Sequence, residues 1–235
     1  MNPTGRVWGV LPAAGVGRRM GTAIPKQYLP LRGRRVIEWS LDVIAGADGV
    51  AGVTIAMDPA DDHWEPPARA GVPVQRVDGG AERADSVRAA LDALVAGGAA
   101  GDDRVLVHDA VRPCVSPAAV TRLLAQGVAH ADGALLAVPV PDTLKRGTAE
   151  GLVAETISRD GLWQAQTPQL FPLEALRAAL TAGREQAATD EAQAMERTGA
   201  RPRLVEGETG NLKITRPGDL EMAAAILAAA RGEGT

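Results

Sequence analysis

The stretch LPAAGVGRRMG, Leu11 to Gly21, combines the glycines of a phosphate-cradling turn with two adjacent cations, Arg18 and Arg19. Pro25-Lys26-Gln27 follows closely and adds a third. Glycine turns leave backbone N–H groups free to hold phosphate oxygens. Arg and Lys neutralise a triphosphate and the charge that grows as it reacts. From the loop alone, a tight strand-to-helix connection with incidental arginines explains the pattern equally well. The downstream cations tip the balance: clustered like charges cost stability unless an anion arrives, which favours a reacting phosphate over a merely structural turn.

Other chemistries fit less well. Gly15, Gly17 and Gly21 fall one residue off the G-x-G-x-x-G spacing. The acid expected about 20 residues later at a strand end is also misplaced; Asp58 comes far too late. No G-x-x-x-x-G-K-[ST] occurs, so a Walker-type loop fails. No Ser-His or Cys-His pair offers a nucleophile, and His108 reads as structural. With no His/Cys cluster or dense carboxylate set, no metal held by protein side chains alone is expected.

Short apolar runs alternating with longer helical stretches must position these groups. Strands are predicted at Val7–Ala13, Gly52–Asp58, Val72–Asp78, Arg104–Ala110 and Gly133–Val140. Helices are predicted at Arg34–Ala47, at Glu82–Ala96 and after a cap near Ser116-Pro117. From Leu173 the chain returns to helix, then a PRLVEG strand, a loop and a closing helix. This alternation predicts an α/β fold with a mainly parallel sheet, whose ligands bind beyond the carboxyl ends of the strands. The places to look are therefore just after Ala13, Asp78 and Val107.

Pro141–Phe171 lacks helical periodicity and reads as a two-stranded arm, TLKR and VAETISR about a glycine-containing turn. A lone hairpin is marginal in water, so the arm is expected to pack against a partner. A long surface loop is the competing account.

Composition bounds the rest. The 235 residues form a single domain, 1–235, with 141–171 as an excursion. Aromatics make up only 3%, so the core must rest on Ala, Val and Leu. A formal net charge of -4 argues against a general nucleic-acid or membrane surface. One cysteine, Cys114, excludes an internal disulfide framework. Neither a signal peptide nor a membrane span of about 20 apolar residues is visible, so a soluble cytoplasmic protein is expected.

With PKQYLPL after the glycine loop, the chain resembles nucleotidyltransferases that join a sugar-like phosphate to a nucleoside triphosphate. GGAERADSVRAAL, VLVHDAVRPCV, PVPDTLKR, ISRDGLWQAQTPQLF, TDEA and GNLKITRPGDL then occur in the order of one family. From about Val7 to Leu227 the sequence is similar to the 2-C-methyl-D-erythritol 4-phosphate cytidylyltransferases of non-mevalonate isoprenoid synthesis. The resemblance implies a Rossmann-like sheet sandwiched by helices, and CMP transfer from CTP to methylerythritol phosphate with release of pyrophosphate. Mg²⁺ would ride mainly on triphosphate oxygens, leaving the protein no metal ligands of its own.

It also implies roles. Arg19, Lys26 and Lys213 would stabilise the transition state. The loop residues Pro12, Ala13, Ala14, Gly15 and Gly17 would bind CTP, together with Gly80, Arg83, Ser86, Asp109 and Ala110. Ala13, Ala14, Gly80 and Ser86 would read cytosine, with Arg83 closing a pocket too small for a purine. Ala81 stands where some members carry aspartate. Asp109 would lie near the ribose and the metal-bearing site and also belong to the substrate-binding set, with Arg112 near the methylerythritol phosphate. Thr143, Arg159 and Thr167 would complete the substrate site across a homodimer interface built by the arm. Without the family, Ser86 and Arg83 read as surface residues of a helix start, and Arg159 and Lys145 as solvated hairpin charges. A cytidylyltransferase for ribitol 5-phosphate or a related polyol phosphate is the alternative within the class. A nicotinamide-dependent oxidoreductase and a catalytically dead nucleotide-binding regulator are more distant ones.

Overall fold

A computed structural model of the chain describes residues 5–15, 24–66, 71–183 and 188–232. Along it run β1 (Val7–Pro12), a 3₁₀ turn (Lys26–Tyr28), β2 (Pro30–Leu31), β3 (Arg34–Arg35), α1 (Val36–Ala45), β4 (Val50–Met57) and β5 (Val74–Asp78). Then come α2 (Arg83–Ala96), β6 (Arg104–Val107), α3 (Pro117–Gly127), β7 (Ala134–Pro139), β8 (Leu144–Gly147) and β9 (Val153–Ile157). The chain closes with β10 (Trp163–Pro172), α4 (Leu173–Ala182), α5 (Glu191–Glu196), β11 (Arg203–Glu206) and α6 (Pro217–Ala230).

Among the described residues, seven strands form one sheet in the order β11-β7-β10-β6-β1-β4-β5. Only β10 runs against the rest: it is antiparallel to both β6 and β7, while β1/β4, β1/β6, β4/β5 and β11/β7 pair in parallel. Strand periodicity divides the core between the two faces. Leu11, Ile55, Leu106 and Leu136 pack on one side with Ile37, Leu41 and Ile44 of α1 and Val120 and Leu123 of α3. Their neighbours Val10, Ala56, Val105, Val107 and Leu135 face the other side, beneath α2, α4 and α5. The result is the expected Rossmann-like α/β sandwich.

A third cluster lies beside the sheet. Trp39 of α1, Leu29, Leu31, Val111 and Cys114 pack there with Ala223 and Leu227 of α6. Ile214, in an irregular segment, is fully buried among them, which anchors the backbone next to Lys213.

The arm is smaller than its sequence pattern suggests. Only β8 and β9 form the separate antiparallel hairpin. Residues 163–171, expected within the arm, instead belong to β10 in the middle of the main sheet. Proline is ordinarily excluded from a central strand because it cannot donate to the ladder, so a run containing Pro168 reads as something else. The register break between Ala165 and Gln169 accommodates Pro168 here. No described helix is long and apolar enough to cross a membrane.

Candidate active site

The three strand ends singled out in the sequence converge. Pro12 at the end of β1 with Ala13, Ala14 and Gly15 beyond it, Gly80 and Ala81 after β5, and Asp109, Ala110 and Val111 after β6 line one cleft. The start of α2 contributes Glu82, Arg83 and Ser86, and Lys26, Gln27 and Lys213 complete the wall.

Close backbone approach dictates the glycines. A Cβ on Gly79 would sit 2.8 Å from the Ala14 Cβ and 2.9 Å from the Ser86 Oγ. On Gly80 it would meet the Asp85 Cβ at 2.3 Å. The Gly80 N–H donates to the Ser86 Oγ at 3.1 Å, so this hydroxyl fixes the turn that forms the cleft wall. Ser86 is 2% exposed and not a helix-surface residue. Glu82, not Ser86, is the N-cap of α2. Gln27, buried at 3%, donates its amide to the Ala13 carbonyl at 2.8 Å and ties the Lys26 segment to the first loop.

Asp109 is the electrostatic centre. Arg83 Nε reaches its Oδ1 at 3.0 Å, while Lys213 Nζ and Arg112 Nε lie 2.9 and 3.4 Å from Oδ2. Burial alone would raise the carboxyl pKa, but the charges of Arg83, Lys213 and Arg112 outweigh it and hold Asp109 well below the usual range. Asp109 is thus ionised at neutral pH and has no proton to give. Arg83 also grips the buried Glu191 with both terminal guanidinium nitrogens, Nη1 to Oε1 at 2.5 Å and Nη2 to Oε2 at 3.0 Å. Burial opposes the Arg83 charge, yet Glu191 and Asp109 raise its pKa above the ordinary value.

Thr167 of β10 underlies the cleft. Its hydroxyl accepts from the Asp109 N–H at 3.0 Å and meets His108 Nδ1 at 3.1 Å. The Arg112 carbonyl 3.1 Å from Nε2 can only accept, so Nε2 carries the proton of the neutral ring and the bare Nδ1 accepts from the Thr167 hydroxyl. Burial pushes His108 down to about 4. A neutral, fully enclosed imidazole with both nitrogens engaged fits the structural role read from the sequence.

The segment carrying Lys213 is pinned to the same base. Arg112 Nη1 donates to the Asn211 carbonyl at 2.7 Å, and Lys26 Nζ donates to the Ile214 carbonyl at 3.1 Å. Lys26 and Lys213, far apart in sequence, therefore stand on one side of the cleft.

Of the residues expected to act, Gly17 and Arg19 lie outside the described residues, as does Arg18. Thr143 and Arg159 lie at the base of the arm, exposed and away from the cleft lining; the Arg159 guanidinium donates to the Pro141 carbonyl. Thr167 does not share their location. Grouped with them on sequence, it is 4% exposed and spends its hydroxyl on Asp109 and His108 of its own chain, because β10 is a sheet strand and not part of the arm. Sequence reasoning gave no role to Gln27, Glu191 or Asn211; the motifs PKQ, TDEA and GNLK held the only signal. Among the described residues, no group of three or more His, Cys, Asp or Glu side chains could hold a metal ion. The cation-rich lining instead suits a polyanion that brings its own counter-ion.

Comparison with known proteins agrees with this chemistry. The family model for IspD, 2-C-methyl-D-erythritol 4-phosphate cytidylyltransferase, matches residues 7–229. A relative of that name from Halorhodospira halophila is 58% identical over 234 residues, covering 97% of this chain and 96% of its own. One from Ectopseudomonas mendocina is 51% identical over 220 residues, covering 92% and 93%. A crystal structure of a 4-diphosphocytidyl-2C-methyl-D-erythritol synthase superposes with a TM-score of 0.84 at 37% identity, over 95% of this chain and 99% of that one. The 2-C-methyl-D-erythritol 4-phosphate cytidylyltransferase of Thermus thermophilus gives 0.77 at 35% identity, over 94% and 98%. With near-complete coverage in each comparison, the chain belongs to the 2-C-methyl-D-erythritol 4-phosphate cytidylyltransferase family.

Proposed function

We propose that this chain transfers CMP from CTP to 2-C-methyl-D-erythritol 4-phosphate, giving 4-diphosphocytidyl-2-C-methyl-D-erythritol and pyrophosphate. The observation that carries this reading is the set of cations at glycine-walled strand ends: Lys213, Arg83 and Arg112 around an ionised Asp109, with Lys26 in the same cleft wall.

A phosphate oxygen of methylerythritol phosphate attacks the α-phosphorus of CTP. A P–O bond forms there as the bond to the β-phosphate bridging oxygen breaks, and pyrophosphate leaves with the electron pair. The attacking oxygen is already anionic, so the step needs no protein base. It needs positioning and positive charge at the α-phosphate. Lys26 and Lys213 supply that charge, with Arg19 as the third group. The strand-end backbone at Ala13, Ala14 and Gly80 would hold the cytosine ring, with Pro12, Gly15, Gly17 and Ala110 lining the rest of the CTP site. A divalent cation, Mg²⁺, would be carried mainly on triphosphate oxygens beside Asp109, where it would neutralise the leaving group.

Arg112 would face the substrate phosphate. Thr143 and Arg159 would reach the site of a partner subunit from the arm of a homodimer, Arg159 offering a phosphate its planar fork. The enzyme would act in the cytoplasm.

Pyrophosphate release from CTP and Mg²⁺ tests the reading, with methylerythritol phosphate compared against ribitol 5-phosphate. Faster release with ribitol 5-phosphate would reassign the substrate. Lys26→Ala and Lys213→Ala should each lower turnover at least about a hundredfold while changing CTP affinity less than about fivefold; equal losses in both would contradict a transition-state role.

A further inference from the structure

Lys213 lies in a segment, residues 207–216, without helix or strand. A lysine has a long, flexible stem, so its ammonium is placed only as well as its backbone is held. Four side chains from other parts of the fold hold this one. Gln166 Nε2 donates to the Glu208 carbonyl at 2.8 Å, Ser116 donates to Glu208 Oε1 at 2.7 Å, and Arg112 and Lys26 donate to the carbonyls of Asn211 and Ile214.

One side chain within the segment reaches outward to meet them. Asn211, 1% exposed, donates its Nδ2 to the Thr167 carbonyl at 2.8 Å and to Gln166 Oε1 at 3.2 Å. Both acceptors are oxygens, which fixes the orientation of the amide. Thr167 is also the residue whose hydroxyl accepts from the Asp109 N–H. Lys213 and Asp109, 2.9 Å apart, thus hang from opposite ends of one residue. The Lys213 side is tied through Asn211 to the Thr167 carbonyl, and the Asp109 side is tied to its hydroxyl.

We infer that Asn211 is a positioning residue for Lys213: its amide, clamped on Thr167 and Gln166, sets where the ammonium stands relative to Asp109 and to a bound triphosphate. It touches no substrate and acts through the lysine. This rests on the proposed role of Lys213 in CMP transfer.

Asn211→Asp keeps the shape but removes both donors and points a carboxylate oxygen at two acceptors. The full-length enzyme carrying it should lose at least about tenfold in kcat for CTP and methylerythritol phosphate, with the KM for CTP changing less than about threefold. A double-mutant cycle separates positioning from general damage. In a Lys213→Ala background, followed by single-turnover assays with enzyme in excess, Asn211→Asp should cost less than about a further twofold. A multiplicative loss in that background, or an unchanged kcat in the parent enzyme, would overturn the inference. If Asn211→Asp does not fold, Asn211→Ala runs the same cycle with the same expectations, removing the donors without adding charge. Should Lys213→Ala itself leave turnover intact, the role of Lys213 fails, and the inference with it. That outcome is distinct from a strong Lys213 effect with an additive Asn211 effect, which sinks the inference alone.

Discussion

Asp109 touches three cations, yet its immediate neighbour His108 is neutral, and the same burial produces both results. Removing either side chain from water disfavours its charged form; Asp109 recovers the loss from Arg83, Lys213 and Arg112, whereas His108 has no comparable compensation. The histidine therefore makes stability depend on pH. In the unfolded chain it titrates near its ordinary 6.5, and in the fold near about 4. Between those values the unfolded chain binds the extra proton, so stability falls as pH drops through this window and is restored above it. The total contribution is up to roughly 3 kcal/mol. Urea midpoints measured from about pH 7 down to about pH 4.5 should fall for the parent enzyme. His108→Gln, which can serve both hydrogen-bond partners without titrating, should flatten that slope. An unchanged slope would mean His108 is not the group responsible.

At the scale of elements, α3 and the Lys213 segment share one residue. Ser116 caps α3 by accepting from the Ala119 N–H at 3.1 Å and donates to Glu208 Oε1 at 2.7 Å. Ser116→Ala should cost about 1 kcal/mol of stability through the lost cap. Through Glu208 it should also lower turnover several-fold, with Ser116→Thr recovering most of both. Chemical denaturation and steady-state rates read the two effects, and a stability loss without any loss of turnover would break the proposed link. Ser116-Pro117 is also where the sequence was most legible, because a capping serine before a proline is a local signal. The β10 strand was the least legible. Its membership in the sheet depends on pairing with β6 and β7, distant in the chain, while its own Pro168 argues locally against a central strand.

For the whole molecule, the β8–β9 hairpin is the feature that the chain's own packing leaves unexplained. Among the described residues its strands pair only with each other, and Leu152 and Val153 near the turn are 67% and 65% exposed. Two strands alone are marginal, so a partner surface would supply the missing burial. If the proposed homodimer forms through this arm, replacing both residues by serine should shift sedimentation toward monomer. Activity should fall with it if Thr143 and Arg159 serve the partner's site. A variant that sediments as a dimer as stable as the parent would remove the arm tip from the interface.

Local patterns carry the alternation of strand and helix, the glycine turns at strand ends, the helix starts, and the pool of cations from which a phosphate site could be built. Those features follow from backbone conformation and from period-2 or period-3.6 burial, which neighbouring residues specify. Long-range packing is what makes Arg83 bridge Asp109 to Glu191, and what sets Thr167 beneath the cleft and not in the arm. Only the fold, too, tied Lys213 through Asn211 to the strand that holds Asp109. Each of these joins residues separated by 26 to 108 positions. A buried carboxylate or amide has no sequence signature of its own, because it is stable only where the folded chain brings it a partner.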